Sequence, residues 1–313
     1  MFSKVRRGER LTGIAELFDL GAYLQTEAPR IEKALHDAVA EASDLLPVEL
    51  ERAVAHGVLS EGKRLRPVLC VAAYYACGGR SPKIPELAVS LELIHAYSLM
   101  HDDLPCMDDA DLRRGRPTTH RVHGDEATAR AGAALIPLAA LRAWRGALAV
   151  GCSEVTSRTI VEELCRAAGA GGMVGGQALD LRAEGSVLDG AELDRLHRLK
   201  TGAMLTASLR IGALAAGASH AVLEALDSYG RAVGLAFQIA DDVLDATATA
   251  ADLGKNPSDA DRDKTTYVGV HGLGEAAGRA REEVARARAA LHQADVDDPA
   301  LHALAQYVVE RRR

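Results

Sequence analysis

Alternating runs of valine, isoleucine and threonine are nearly absent from this chain, which argues against a sheet-built core. Aromatic residues are scarce as well, at 4% against a hydrophobic fraction of 48%, so alanine and leucine do most of the burying. An all-α protein is the fold class that remains. No apolar run reaches the roughly 18 residues that a membrane-spanning helix needs. The stretch from Ala203 to Ala218 comes nearest, and Arg210 interrupts it. No apolar signal core follows Lys4, Arg6, Arg7 and Arg10, so secretion is not expected. Residues 1–23 are expected to form a frayed N-terminal extension and residues 24–313 a single domain. No Cys-x-x-Cys pair occurs among Cys70, Cys77, Cys106, Cys152 and Cys165, which argues against zinc or disulfides and for reduced thiols in a cytoplasm. A net charge of −7 gives a nucleic-acid partner no electrostatic support.

What is present is helical periodicity. It predicts helices over about 28–42, 47–59, 64–77, 84–103, 124–149, 153–168, 191–216, 219–246, 274–292 and 298–311. Breakers fall between them, including Gly78-Gly79, Pro105, Gly115-Arg116-Pro117 and the glycines of 171–176. The helices over 84–103 and 219–246 are apolar nearly all round, which assigns them to the centre of a bundle.

Both of those central helices end in aspartates. The first closes on Asp102-Asp103, with Asp108 just beyond Pro105. Glu92, His95, Ser98 and Asp102 recur at spacings of three and four, a polar stripe on a buried helix. The second carries Gln238, Asp241, Asp242 and Asp245 at i, i+3, i+4 and i+7, again one stripe. Carboxylates at the negative end of a helix are disfavoured by roughly 0.3–1 kcal/mol each, and hard cations would offset that. Oxygen ligands without histidine or cysteine in register favour Mg²⁺. Mg²⁺ commonly takes one or two carboxylates and completes its shell with water and substrate phosphate. Two acidic walls therefore point to a phosphate or diphosphate substrate. Basic residues support the same reading: Lys63, Arg64 and Arg66; Arg113, Arg114 and Arg116; Lys200; Lys255; and Lys264. His120 and His123 lie in a polar stretch and are expected at the surface.

The chain resembles the trans-isoprenyl diphosphate synthases, and among them the short-chain farnesyl diphosphate synthases of bacterial type. The resemblance runs from about Leu24 onward. It is carried by GKRLRP (62–67), IHAYSLMHDDLPCMDD (94–109), DLRRGRPT (111–118), GGMVGGQALDL (171–181), KTGAML (200–205), FQIADDVLD (237–245) and LGK (253–255), in that order. It implies an isoprenoid synthase bundle of about ten core helices around a central cavity, homodimeric, joining an allylic diphosphate to isopentenyl diphosphate. It further implies about three Mg²⁺ per site. Asp102, Asp108 and Asp241 would contact the metal, and Asp103, Asp242 and Asp245 would support them. Arg113, Lys200, Lys255 and Lys264 would hold the allylic diphosphate; Lys63, Arg66, His95 and Arg114 would hold isopentenyl diphosphate. Thr201 and Gln238 would face the allylic cation. Tyr97 and Ser98, five and four residues before Asp102, would form the floor that limits chain length. An aromatic there is similar to fifteen-carbon synthases, which favours farnesyl diphosphate, whereas Cys106 is similar to twenty-carbon relatives.

Two departures stand out. Glu61 occupies a position where relatives carry glycine, and Gly132-Ala133 replaces a usual Gly-Asp, with Pro137 expected to kink that helix. The alternatives are a geranyl or geranylgeranyl diphosphate synthase, a non-catalytic partner subunit of the same fold, and a terpene cyclase. The partner subunit is expected to lack aspartates that this chain retains. The cyclase needs no isopentenyl diphosphate site. A ferritin-like di-iron bundle fails because Glu92-Leu93-Ile94-His95 has no credible second copy.

Overall fold

The computed structural model describes residues 18–183, 185–247 and 265–310. Helix α1 (Leu20–Ser43) starts well before the expected 28, because the Asp19 side chain accepts a hydrogen bond from Ala22 N at 3.0 Å and caps it. Pro29 sits inside this helix. Helices α2 (Val48–Val58), α3 (Leu65–Ala76) and α4 (Ile84–Asp102) follow. A two-stranded hairpin comes next, β1 (Leu112–Arg113) paired with β2 (Arg116–Pro117). Then come α5 (Thr119–His123), α6 (Asp125–Ala149) and α7 (Glu154–Ala168). Pro137, expected to kink this helix, lies inside α6, which runs on as one element.

Helix α8 (Met173–Ala183) forms in the glycine-rich stretch that periodicity left unassigned. The single helix expected over 191–216 is three elements: α9 (Gly190–His197), a π-helical turn (Arg198–Gly202) and α10 (Ala203–Ala215). A reciprocal cap between Asp189 and Glu192 starts α9. The described chain ends with α11 (His220–Thr247), the short α12 (Tyr267–His271), α13 (Leu273–Gln293) and α14 (Pro299–Glu310).

Helix α4 is buried on every side from Ile84 to Ile94, as an all-round apolar sequence requires. Ile84, Leu87 and Leu91 are fully enclosed. Truncating any one of them to alanine costs about 2–5 kcal/mol. Most buried apolar residues join one large core, drawn from α1 to α4, α6, α7, α10, α11, α13 and α14. A smaller core of Leu193, Leu235, Ile239, Tyr267, Ala276 and Ala280 lies beside α9 and α12. Tyr229, fully buried, donates its hydroxyl to Leu301 O at 2.7 Å and ties α11 to α14.

Candidate active site

The first acidic helix end is held by its own loop. Asp108 N donates to Asp102 O at 2.8 Å and Ala110 N to Asp103 O at 3.2 Å, which satisfies carbonyls that the end of α4 leaves open. Asp103 is buried and takes a forked contact from Arg113, whose Nε lies 2.7 and 2.9 Å from its two oxygens. Burial raises the Asp103 carboxyl, and Arg113 only partly offsets it. Asp102 is pushed up from 3.8 to about 6, first by burial and then by its neighbours Asp108 and Asp103, against the pull of Lys200 and Arg113. Arg113, to which the resemblance gives a role in holding the allylic diphosphate, is thus engaged with an aspartate.

The hairpin aims the next arginine. Arg114 and Gly115 form a two-residue loop with φ of +54° and +74°, the positive pair of a type I′ turn. The Arg114 guanidinium donates to Glu61 O and lies against Gly62, where any side chain would collide with it. At Glu61, the departure from the family pattern, it is the carbonyl that makes this contact. His120, expected at the surface, is buried. Thr118 closes the loop by donating Oγ1 to Ala110 O at 2.7 Å, and this folds His120 beneath it, Nδ1 at 3.1 Å from that hydroxyl. His123 is half-buried and edge-on to His56 at 5.3 Å.

A cationic pole faces the same cavity. Arg64 points away from it, bonded to Glu32 at 2.7 Å and Glu92 at 2.8 Å. Arg66 and His95 line the cavity, and the enclosed Arg66 Nε and His95 Nδ1 have no hydrogen-bond partner. Burial lowers Arg66 to about 10. His95 is driven well below 6.5 by burial and by Arg66, Arg114, Arg113 and Arg64, so it is neutral. Burial lowers Arg114 too, and Arg64 and Arg113 add to it. Like charges this close, with donors left over, make an anion site by electrostatics alone. Lys63 is exposed, its Nζ 5.8 Å above the Tyr307 ring.

Lys200 and Thr201 reach the cavity from the π turn, a device common at functional sites. Gly176 of α8 packs on the backbone there, where an added Cβ would lie 2.5 Å from Lys200 Cα. Lys200 Nζ pairs with Asp180 Oδ2 at 2.5 Å, and its charge also acts on Asp102. It acts as well on His197, which burial lowers to about 4. His197 Nδ1 is 3.5 Å from Gln238 Nε2, one turn before Asp241. Near the second acidic helix end, Asp242 Oδ2 accepts from Tyr267 N at 2.6 Å, and the Tyr267 ring stacks on His197 at 5.7 Å. Lys200 therefore acts electrostatically on Asp102 and on His197, which stands beside Gln238 of the second acidic helix. Lys255 and Lys264 lie outside the described residues.

The cavity holds about 300 Å³ and is lined by Arg66, His95, Tyr97, Ser98, Asp102 and Lys200 at its polar places. Met107, Met173, Val174 and Leu181 supply apolar wall. Among the described residues no three His, Cys, Asp or Glu side chains form a metal cage by themselves. Carboxylate oxygens offered singly or in pairs from Asp102, Asp108 and Asp241 suit Mg²⁺, which completes its shell with water and phosphate oxygen.

A family model described as polyprenyl synthetase matches residues 47–304. The chain belongs to the polyprenyl synthetase family. It is 43% identical over 266 residues to the farnesyl diphosphate synthase of Escherichia coli strain K12, covering 82% of this chain and 88% of that one. It is 39% identical over 300 residues to the chloroplastic heterodimeric geranylgeranyl pyrophosphate synthase large subunit 1 of Arabidopsis thaliana, covering 94% of this chain and 80% of that one. Among solved structures it resembles a geranyltransferase from Helicobacter pylori complexed with magnesium and isoprenyl diphosphate, at 29% identity and a TM-score of 0.77, covering 92% of this chain and 95% of that one. The all-α bundle is that of the isoprenoid synthases, and the chain is a trans-prenyltransferase. Two site residues escaped the sequence reading of this family member. Asp180 is the partner of Lys200, and Gln177 is buried at the cavity with both amide atoms unpartnered. Both lie in the quoted GGMVGGQALDL, so their motif was visible although their roles were not.

Proposed function

We propose that this enzyme condenses dimethylallyl or geranyl diphosphate with isopentenyl diphosphate and releases farnesyl diphosphate. One observation carries the reading: a single cavity is lined by the Asp102 carboxylate and Lys200 and also by Arg66 and His95, whose enclosed Nε and Nδ1 have no hydrogen-bond partner. That polarity suits two diphosphates held apart with their chains in between.

In this reading Asp102, Asp108 and Asp241 hold magnesium, with Asp103, Asp242 and Asp245 keeping the two helix ends in place. Bound there, magnesium supplies Lewis-acid neutralisation for a departing diphosphate. Lys200 adds a point charge to the same leaving group, together with Lys255 and Lys264. Lys63, Arg66, His95 and Arg114 hold isopentenyl diphosphate so that its double bond meets the allylic carbon. The Thr201 hydroxyl and the Gln238 amide oxygen stabilise the positive charge without trapping it as a covalent adduct. Proton loss to the released diphosphate completes the reaction, so no side-chain nucleophile is needed. Tyr97 stands at the cavity wall about one turn before Asp102 and limits the chain to fifteen carbons.

The reading includes a homodimer working in a reducing compartment, the cytoplasm. Exposed Ile136, Leu141 and Leu148 along α6 support the first, and five free thiols support the second. Incubation with Mg²⁺, isopentenyl diphosphate and geranyl diphosphate, with products read by mass, tests the activity. A fifteen-carbon product is expected, and no elongation with any allylic primer would refute it.

A further inference from the structure

Tyr97 does not stand alone at the cavity wall. One turn on, His101 meets it edge to face, with ring centroids 4.7 Å apart and an interplanar angle of 72°. Both rings line the cavity. His101 is in turn anchored to the neighbouring helix, its Nε2 3.0 Å from Ala129 O of α6. A carbonyl only accepts, so Nε2 carries the proton and the ring orientation is set. Behind the ring lies Gly132. A Cβ at that position would sit 2.5 Å from both Cδ2 and Nε2 of His101. That is about 1 Å inside normal contact distance. The absent side chain is therefore a notch in α6, and the His101 ring occupies it.

We infer that the notch at Gly132, acting through His101, sets how far Tyr97 stands into the cavity and so sets product length. His101 is a positioning residue: it holds the ring that meets the growing chain. This rests on the reading of Tyr97 as the floor. Filling the notch must displace the imidazole, and with the α6 backbone behind it the open side is the cavity. Tyr97 then moves inward and the product shortens. Removing the imidazole has the opposite effect, because Tyr97 loses its support and settles toward α6.

The test is product analysis by mass on the full-length enzyme with Mg²⁺, dimethylallyl diphosphate and excess isopentenyl diphosphate. Gly132→Ala is expected to raise the ratio of ten- to fifteen-carbon product at least about tenfold, the scale of one methylene's discrimination in an apolar pocket. His101→Ala is expected to raise twenty-carbon product by a similar factor. The double variant should keep the longer product of His101→Ala, because the added methyl then meets no ring and Gly132 has nothing to act through. General structural damage produces no such opposed pair. If Tyr97→Ala lengthens the product while Gly132→Ala and His101→Ala leave it unchanged, or shift it the same way, the notch is wrong and the floor stands. If Tyr97→Ala changes nothing, the floor itself fails. Should Gly132→Ala not fold, His101→Ala decides alone: longer product supports the notch, and an unchanged distribution overturns it.

Discussion

The two acidic helix ends are built differently. At the end of α4 a short loop folds back at once, caps the carbonyls of Asp102 and Asp103, and brings Arg113 onto Asp103. Everything needed lies within residues 102–118, so that wall is largely preassembled. At the end of α11 the described support comes from a distant segment, with Tyr267 N on Asp242 and His197 against Gln238. That wall is complete only when α9, α11 and α12 have packed. The first wall therefore depends on local loop contacts and one ion pair, and the second on tertiary packing.

The largest effect expected is chemical and should fall on both walls alike. Asp102→Ala and Asp241→Ala should each lower kcat by on the order of 10²–10³ or more in steady-state assays. A near-normal rate for either would remove that wall from the reaction. Stability should separate the two ends. Arg113→Ala strands the buried Asp103, at a cost of about 3 kcal/mol, and thermal unfolding should register a clear loss. Asp242→Asn keeps an acceptor for Tyr267 N, so its cost should stay near 1 kcal/mol. Equal losses would mean that the two helix ends are held alike.

A pH dependence is expected at the second wall as well. Burial lowers His197 from 6.5 to about 4. Between those values the unfolded chain binds a proton that the folded chain does not, so stability falls as pH drops from about 6.5 toward 4 and is flat above. Melting temperatures of His197→Gln should fall less steeply across that window. A slope matching wild type would exclude His197 as its source.

Much of this was legible in sequence. Helices expected over 84–103 and 219–246 are Ile84–Asp102 and His220–Thr247, because all-round apolarity leaves a long segment few alternatives to a buried helix. The aspartate stripes were readable for the same reason. Three features were not. Helix α8 was hidden by glycines that lower helix propensity, and Gly176 is there because the backbone at Lys200 comes too close for a side chain. The burial of His120 depends on a loop closure by Thr118 that no periodicity encodes. The ion pairs of Arg113 with Asp103 and Lys200 with Asp180 could not be told apart from contacts to substrate, since either partner satisfies the same cation.

The π turn at Arg198–Gly202 has a further consequence. In an α-helix each residue advances the side chains by about 100°, so an extra residue in one turn shifts the phase of all that follows. Before the turn, Leu193 faces the small core around Tyr267; after it, Met204, Leu205 and Leu209 face the large one. An unbroken helix from 190 to 215 would rotate one set away from its neighbours. The turn works as a clutch that lets a single rod mesh with two gear trains cut to different timing. Lys200 and Thr201 ride on the clutch itself, and removing a neighbouring residue there would turn them out of mesh while leaving both of their side chains unchanged.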